Sequence, residues 1–218
     1  CMEIIDEPKD TGNTLFSFDF IPKDTPMYPV VGHITDTVDK KEGSGSQKMT
    51  LASVGMGEAP FLATSTNIID ASAMTRPALR FWMYVENAAA IKGSDFECFL
   101  YDGTNTNADK MVTGWLRTRD LMDGWNEITL PLDNITADTE ALRLYGHQFT
   151  VSVGANFDFT KIKGFGMKLY NYAGYTGVLG LDDMKVIDLS PEPNNNMLVS
   201  FDNLFPGMSY NSGYTIDR

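Results

Sequence analysis

Residues 157–188 read FDFTKIKGFGMKLYNYAGYTGVLGLDDMKVID, and this stretch decides the fold class. In residues 162–170, apolar side chains such as Phe165 and Met167 alternate with glycine or lysine. Residues 178–189 are again apolar at alternate positions. Alternation over this length is typical of β-strands that bury one face. The stretch therefore predicts a hairpin, with two strands around a loop that is rich in Tyr and Gly.

The second predicted strand carries two consecutive carboxylates, Asp182 and Asp183. A charge in the middle of a strand is costly to bury unless it has a partner. We therefore expect this acidic pair to have a structural or functional reason.

The composition favours an all-β sandwich. The chain has 218 residues, of which 43% are hydrophobic and 11% aromatic, so it can form a sizeable core. Long helical patterns are absent, whereas Thr, Gly, Asn and aromatic residues are frequent. The formal net charge of −12 argues against nucleic acid as a partner, because an acidic surface repels phosphate.

The most regular strand pattern lies in residues 78–87, ALRFWMYVEN. One side is apolar and consists of Leu79, Phe81, Met83 and Val85. The other side mixes charges with aromatic rings and consists of Arg80, Trp82, Tyr84 and Glu86. Similar short patterns, separated by turn residues, predict about nine strands in a jelly-roll or related sandwich.

The chain divides into three parts. Residues 1–13 form a polar tether, and residues 14–189 form the sandwich. Residues 190–218 begin with a Pro/Asn-rich linker and continue with LVSFD, which resembles LFSFD in the first strand. This last part is either the start of a second similar module or a tail that docks on the sandwich or a partner.

Cys1, followed by the polar tether, looks like the lipid-modified first residue of a mature bacterial lipoprotein. Such a lipid anchors a protein to the membrane without spanning it. We therefore expect a lipid-anchored protein at the outer membrane, exposed on the cell surface. The second cysteine, Cys98, lies in a strand pattern and is expected to be a buried free thiol.

Several segments together resemble the galactose-binding-like jelly-roll that occurs as carbohydrate-binding modules. They include FSFDF (16–20), LRFWMYVEN (79–87), DGWNEITLPLDNI (123–135) and residues 157–188. The resemblance covers residues 14–188 and implies an antiparallel β-sandwich. Together with Cys1, the chain also resembles surface lipoproteins of Bacteroidetes. Those proteins serve glycan or peptide uptake beside TonB-dependent importers of the starch-utilisation type.

The resemblance implies two structural features. Many such modules hold a structural calcium ion between acidic residues of the first and last strands, and the matching positions here are Asp19 and Asp182. Calcium requires several oxygen ligands, which carboxylates and carbonyls supply; a solvated or backbone-bound Asp182 is the alternative. The resemblance also places Trp125 in the core.

Sugar binding depends on exposed aromatic rings with polar groups beside them. Candidates in the predicted loop are Tyr170, Asn171, Tyr172 and Tyr175. Trp82 and Tyr84, on the mixed side of their strand, are further candidates. For each of these, packing inside the sandwich is the alternative.

The sequence contains no pattern that indicates an enzyme. His33 and His147 have no metal-ligand spacing, and there is no G-x-S-x-G motif or phosphate loop. We therefore expect a non-catalytic surface lipoprotein that binds a glycan or another nutrient for outer-membrane uptake. The alternative is a structural accessory subunit of an importer complex, including one for peptide uptake, without a ligand site of its own.

Overall fold

The computed structural model describes residues 13–19, 33–54, 58–103, 110–132, 152–170 and 175–189. Some of the sequence predictions concern residues outside these ranges. They are the predictions for the tether with Cys1, for the loop residues Asn171 and Tyr172, and for the segment 190–218.

The described residues form eleven strands and very little helix. The strands are Thr14–Phe16 (β1), His33–Asp36 (β2), Ser46–Val54 (β3), Glu58–Ile69 (β4), Pro77–Val85 (β5), Asp95–Tyr101 (β6), Lys110–Arg117 (β7), Gly124–Pro131 (β8), Ser152–Val153 (β9), Ile162–Tyr170 (β10) and Tyr175–Asp188 (β11). A short helix, Ala88–Ile91 (α1), follows β5, and a single 3-10 turn, Thr118–Asp120, follows β7.

The strands form two antiparallel sheets. Sheet A has the order β2-β3-β11-β5-β8, with β1 also pairing with β11. Sheet B has the order β4-β10-β6-β7-β9. Phe81 of sheet A packs on Phe165 of sheet B with ring centroids 5.6 Å apart, in the centre of one hydrophobic cluster. The predicted all-β antiparallel sandwich is confirmed.

The two strands of residues 157–188 exist, but they do not form the predicted hairpin. β10 pairs with β4 and β6 in sheet B, whereas β11 pairs with β3 and β5 in sheet A. Each strand has one apolar face, and the two faces meet across the core instead of lying side by side in one sheet. Alternation predicts that a strand has a buried face; it does not specify which strand is its hydrogen-bonded neighbour.

The acidic pair marks a β-bulge in β11. The register of β11 against β5 shifts at this point, and Asp183 has a φ angle of 45°. Before the bulge, Leu179 and Leu181 face the core; after it, Met184 and Val186 do. The first two residues have odd numbers and the last two have even numbers, so in a regular strand they would face opposite sides. The extra residue of the bulge shifts the alternation by one and lets all four face the core.

Asp182 lies in this bulge, and its side chain is fully buried. Its carboxylate accepts backbone N–H hydrogen bonds from Lys41 (2.7 Å), Glu42 (3.0 Å) and Asp183 (2.8 Å). Burial raises the pKa of Asp182, and these hydrogen bonds only partly offset that rise. Three donors therefore reduce the cost of burying this carboxylate, and two of them come from the loop between β2 and β3.

On the outer side of sheet B, two glycines of β10 allow aromatic rings to lie on the strand. The ring of Tyr101 covers Gly164, and the ring of Phe99 covers Gly166. A Cβ atom at either glycine would lie within about 2.2 Å of ring carbons, so no other residue fits without displacing the ring.

β4 differs from its prediction. The sequence of residues 61–73 indicates only weak or irregular strand, yet Glu58–Ile69 is one strand of 12 residues. Among the described strands of sheet B it lies at the edge and pairs with β10, and its outer side chains include exposed Thr66 and Ile68. Polar residues on an exposed edge weaken the apolar alternation on which the prediction depends.

Replacing Asp182 tests the bulge and its contacts. Asp182→Ala removes a buried acceptor from three N–H donors, so we expect a loss of about 2 kcal/mol in the free energy of unfolding. Urea denaturation followed by fluorescence measures this difference. Glu42→Ala is the matched control in the same loop, because the exposed side chain of Glu42 makes no hydrogen bond or ion pair within the described residues. Equal stability of the two variants would contradict this assignment.

Candidate functional site

Three aromatic side chains lie together on the outer face of sheet A. Trp82 and Tyr84 project outward from β5 and are half-buried, because the intervening residues of that strand face the core. Trp125 projects from β8 directly opposite Tyr84, and their ring centroids are 5.4 Å apart at an interplanar angle of 67°. We call Trp82, Tyr84 and Trp125 the aromatic face.

The position of Trp125 corrects the expectation that it belongs to the core. It is half-buried on the outer side of the sheet and is not part of the hydrophobic cluster. Its indole N–H donates a hydrogen bond of 2.8 Å to Oδ1 of Asp39, in the loop after β2. The resemblance placed this residue wrongly, because Ile128 and Leu130 of β8 face the core and the alternation of the strand therefore puts Trp125 on the outer side.

A buried lysine fixes the inner part of the aromatic face. Lys48 of β3 is only 7% exposed, and its ammonium lies 4.1 Å from the ring centroid of Tyr84. Gly180 of β11 lies between the two residues in the sheet. Because it has no side chain, the side chain of Lys48 can extend across β11 to the ring of Tyr84. Desolvation lowers the pKa of Lys48, but its hydrogen bonds with Asp39 and Asp36 outweigh this, so the net pKa is raised.

Two carboxylates hold Lys48 in place. Oδ2 of Asp36 lies 3.1 Å from its ammonium, and Asp39 forms both an ion pair and a hydrogen bond with it. Asp39 thus connects Lys48 with the indole of Trp125. Because Asp36 also accepts the backbone N–H groups of Val38 and Asp39, the start of the loop is anchored at the same place.

The loop of residues 37–45 forms the rim of the aromatic face. Its middle is held by Asp182, which binds the N–H groups of Lys41 and Glu42. Its end is held by Asp19, which accepts hydrogen bonds from the backbone and hydroxyl of Ser44 and from the N–H of Gly45 (3.0 Å). With its backbone fixed in this way, the loop places the ammonium of Lys41 4.1 Å from the ring centroid of Trp82.

The two residues predicted to bind calcium therefore share a loop. Burial raises the pKa of Asp19, but the hydrogen bonds from Ser44 and Gly45 outweigh this and lower it overall. Within the described residues, no group of three or more His, Cys, Asp or Glu side chains lies where it could hold a metal ion. The calcium ion stays a prediction. In the structure the two carboxylates accept hydrogen bonds from backbone N–H groups, and Asp19 also accepts one from the hydroxyl of Ser44.

Tyr170, the candidate at the end of β10, lies on the other outer face of the sandwich. Its hydroxyl donates to Oε2 of Glu97 at 3.2 Å, and Lys168 lies 3.7 Å from the same carboxylate. Because Phe165 and Met167 of β10 face the core, Lys168 and Tyr170 point away from sheet A. The structure therefore does not bring Tyr170 together with Trp82 and Tyr84.

Tyr175 has a different place from the one the sequence suggests. It is the first residue of β11, is 1% exposed and belongs to the hydrophobic cluster. Burial raises the pKa of its hydroxyl. In this position the ring stabilises the core and offers no face to a ligand. Its candidate neighbours Asn171 and Tyr172 lie outside the described residues.

The carboxylates around Lys48 predict that the stability of the protein changes with pH in the acidic range. Backbone hydrogen bonds from Asp39 and Val38, together with Lys48, lower the pKa of Asp36 from its ordinary 3.8 to about 2. The folded state therefore gains stability from Asp36 above its unfolded pKa and loses it as the pH falls from 3.8 towards 2. We expect Asp36→Asn to flatten this part of a plot of melting temperature against pH, whereas Glu42→Gln should not. An unchanged slope in Asp36→Asn would contradict the assignment.

Among the described residues, no helix is long and apolar enough to cross a bilayer. No protein-family model matches the chain, and no curated protein matches it either.

Solved structures with a similar fold do exist. The chain aligns with part of an exo-β-agarase at a TM-score of 0.54 and 16% identity, covering 82% of this chain but only 25% of the agarase. A family 11 carbohydrate-binding module of a cellulosomal cellulase from Clostridium thermocellum aligns at 0.47 with 11% identity, over 80% of this chain and 93% of the module. A family 30 module, also from a Clostridium thermocellum cellulosomal cellulase, aligns at 0.42 with 11% identity, over 77% and 87%. At these identities, the likeness to the agarase shows a shared fold and no more.

Proposed function

We propose that this chain is a non-catalytic carbohydrate-binding domain whose ligand lies on the aromatic face of sheet A. The observation that carries this proposal is the position of Trp82, Tyr84 and Trp125 on the outer side of a sheet, half-buried but not in the core. The apolar face of a sugar ring can stack on such side chains and remove apolar surface from water.

Polar groups suited to sugar hydroxyls surround Trp82. Glu127 lies directly opposite Trp82 on β8, and its side chain is 48% exposed. The side chain of Arg80, two residues before Trp82 on the same face, lies 3.9 Å from that carboxylate. A sugar hydroxyl can both donate and accept hydrogen bonds. The carboxylate can accept from it and the guanidinium can donate to it.

The aromatic face is rigid before any ligand arrives. Tyr84 is held against Trp125 and Lys48, and the indole of Trp125 is tied to Asp39. Side chains that are already ordered lose little conformational entropy on binding, which favours affinity. This preorganisation supports a binding role, because rings that are already fixed need no further ordering when a sugar ring stacks on them.

The competing location is the outer face of sheet B around Tyr170, Glu97 and Lys168. Its aromatic rings near Glu97 are less accessible: the hydroxyl of half-buried Tyr170 is already bonded to Glu97, and the rings of Phe99 and Tyr101 are buried. Sheet A instead presents two half-buried indoles and a half-buried phenol. We therefore assign the ligand to sheet A and use Tyr170 as the matched control. Docking through residues 190–218, the alternative function, stays a prediction because those residues lie outside the described ranges.

Paired variants on the two outer faces test the proposal. Trp82→Ala should weaken binding to a polysaccharide at least about tenfold, because it removes a central stacking surface. Tyr170→Ala should leave binding unchanged. Pull-down and calorimetry with agarose, β-glucans, galactans and alginate provide the measurement, and agarose is included because of the fold shared with an agarase.

Thermal unfolding of both variants verifies that they fold. The reverse result, with binding lost in Tyr170→Ala and kept in Trp82→Ala, would move the site to sheet B. Absence of binding to every polysaccharide in the panel would refute the proposed function.

The cellular setting that we propose is the outer surface of a bacterium, with a lipid on Cys1 and delivery of the bound glycan to an outer-membrane importer. Its support is the sequence of residues 1–13, a cysteine followed by a polar, Pro- and Gly-containing tether. Expression of the complete gene with radiolabelled palmitate should label the protein, and Cys1→Ser should abolish the label. Labelling that persists in Cys1→Ser would exclude this attachment point.

A further inference from the structure

Lys41 differs from the lysines and arginine on the strands of the outer face of sheet A. Each of those cations has a carboxylate partner: Lys48 with Asp36 and Asp39, Arg80 with Glu127, and Lys185 with Asp183. The ammonium of Lys41 lies over Trp82 instead, and no carboxylate of the described residues pairs with it. The ammonium that covers Trp82 is therefore not engaged in an ion pair within the described residues.

The side chain of Lys41 can move, whereas its backbone cannot. The residue is exposed, and a cation–π contact at an exposed site is weak. Its backbone N–H, by contrast, is bound to the buried carboxylate of Asp182. A ligand can therefore displace the ammonium from the ring of Trp82 at little cost, and the ammonium then stays within one side-chain length of that ring.

From this arrangement we propose that Lys41 makes the aromatic face selective for sugars with an anionic substituent, either a carboxylate or a sulfate ester. The sugar ring stacks on Trp82, and the displaced ammonium pairs with the anionic group. This inference rests on the proposed function, since it specifies the ligand of the same site.

Because the whole chain is acidic, a preference for anionic sugars has to come from individual cations at the site. With a formal net charge of −12, the protein repels polyanions over most of its surface. An acidic glycan therefore gains nothing from general electrostatic attraction, and its preference for this protein must come from a specific cation. A neutral glycan gains no such contact and must still displace Lys41 from the ring.

The experiment compares soluble oligosaccharides of three kinds by calorimetry: uronate oligomers from alginate, sulfated galactan oligomers and neutral galactan oligomers. Wild-type protein should bind at least one anionic kind more tightly than the neutral kind. Lys41→Gln should weaken that binding about fivefold, the scale of an exposed ion pair, and should leave neutral binding unchanged or tighter. The uronate and sulfate arms identify which anionic group is selected.

Lys92→Gln is the charge-matched control, because Lys92 is exposed, follows α1 and belongs to neither of the strands, β5 and β8, that carry the aromatic face. If Lys92→Gln and Lys41→Gln weaken binding equally, the effect is general and the role of Lys41 is refuted. Neutral oligomers that bind as tightly as anionic ones, with no effect of Lys41→Gln, would also refute it, but would leave the proposed function intact provided that Trp82→Ala abolishes binding. If no oligosaccharide binds, both fail.

Discussion

The buried carboxylate of Asp182 is the contact on which the sandwich and its surface both depend. Asp182 lies at the point where the first half of β11, which pairs with β3, gives way to the second half, which pairs with β1. The bulge at this point allows the apolar side chains of both halves to face the core. The same carboxylate holds the loop that carries Asp39 and Lys41 over the aromatic face. Burial alone would disfavour this charge. It is stabilised because it accepts hydrogen bonds from the N–H groups of both the bulge and the loop.

The aromatic face shows how a sheet can present apolar rings to solvent without losing order. Its inner half, Tyr84 and Trp125, is fixed by Lys48 and Asp39, so it behaves as a scaffold. Its outer half, Trp82, is covered by the exposed side chain of Lys41. Rigidity and accessibility are therefore divided between neighbouring rings on the same two strands.

Sequence reasoning predicted the all-β sandwich because alternation reports a buried face, and β5 shows it clearly: Phe81 and Met83 face the core, while Trp82 and Tyr84 do not. It predicted the wrong neighbour for β11 because pairing is decided by contacts far apart in the chain. The acidic pair was a usable signal, but its partner, the loop of residues 37–45, could not be read from local pattern. The expectation for Trp125 was wrong for a different reason: it followed the resemblance, whereas the alternation of β8, with Ile128 and Leu130 facing the core, indicates the outer side.

The distance along the chain between Asp182 and its loop has a consequence for the order of folding. The carboxylate and its two loop donors are 140 and 141 residues apart, and β11 lies in the middle of sheet A. During synthesis, β3 and β5 emerge long before the strand that joins them, and long-range pairings of this kind form late. The rim over Trp82 therefore takes its final shape only after the ribosome has released β11, so that the surface proposed to bind ligand is completed together with the fold and not before it.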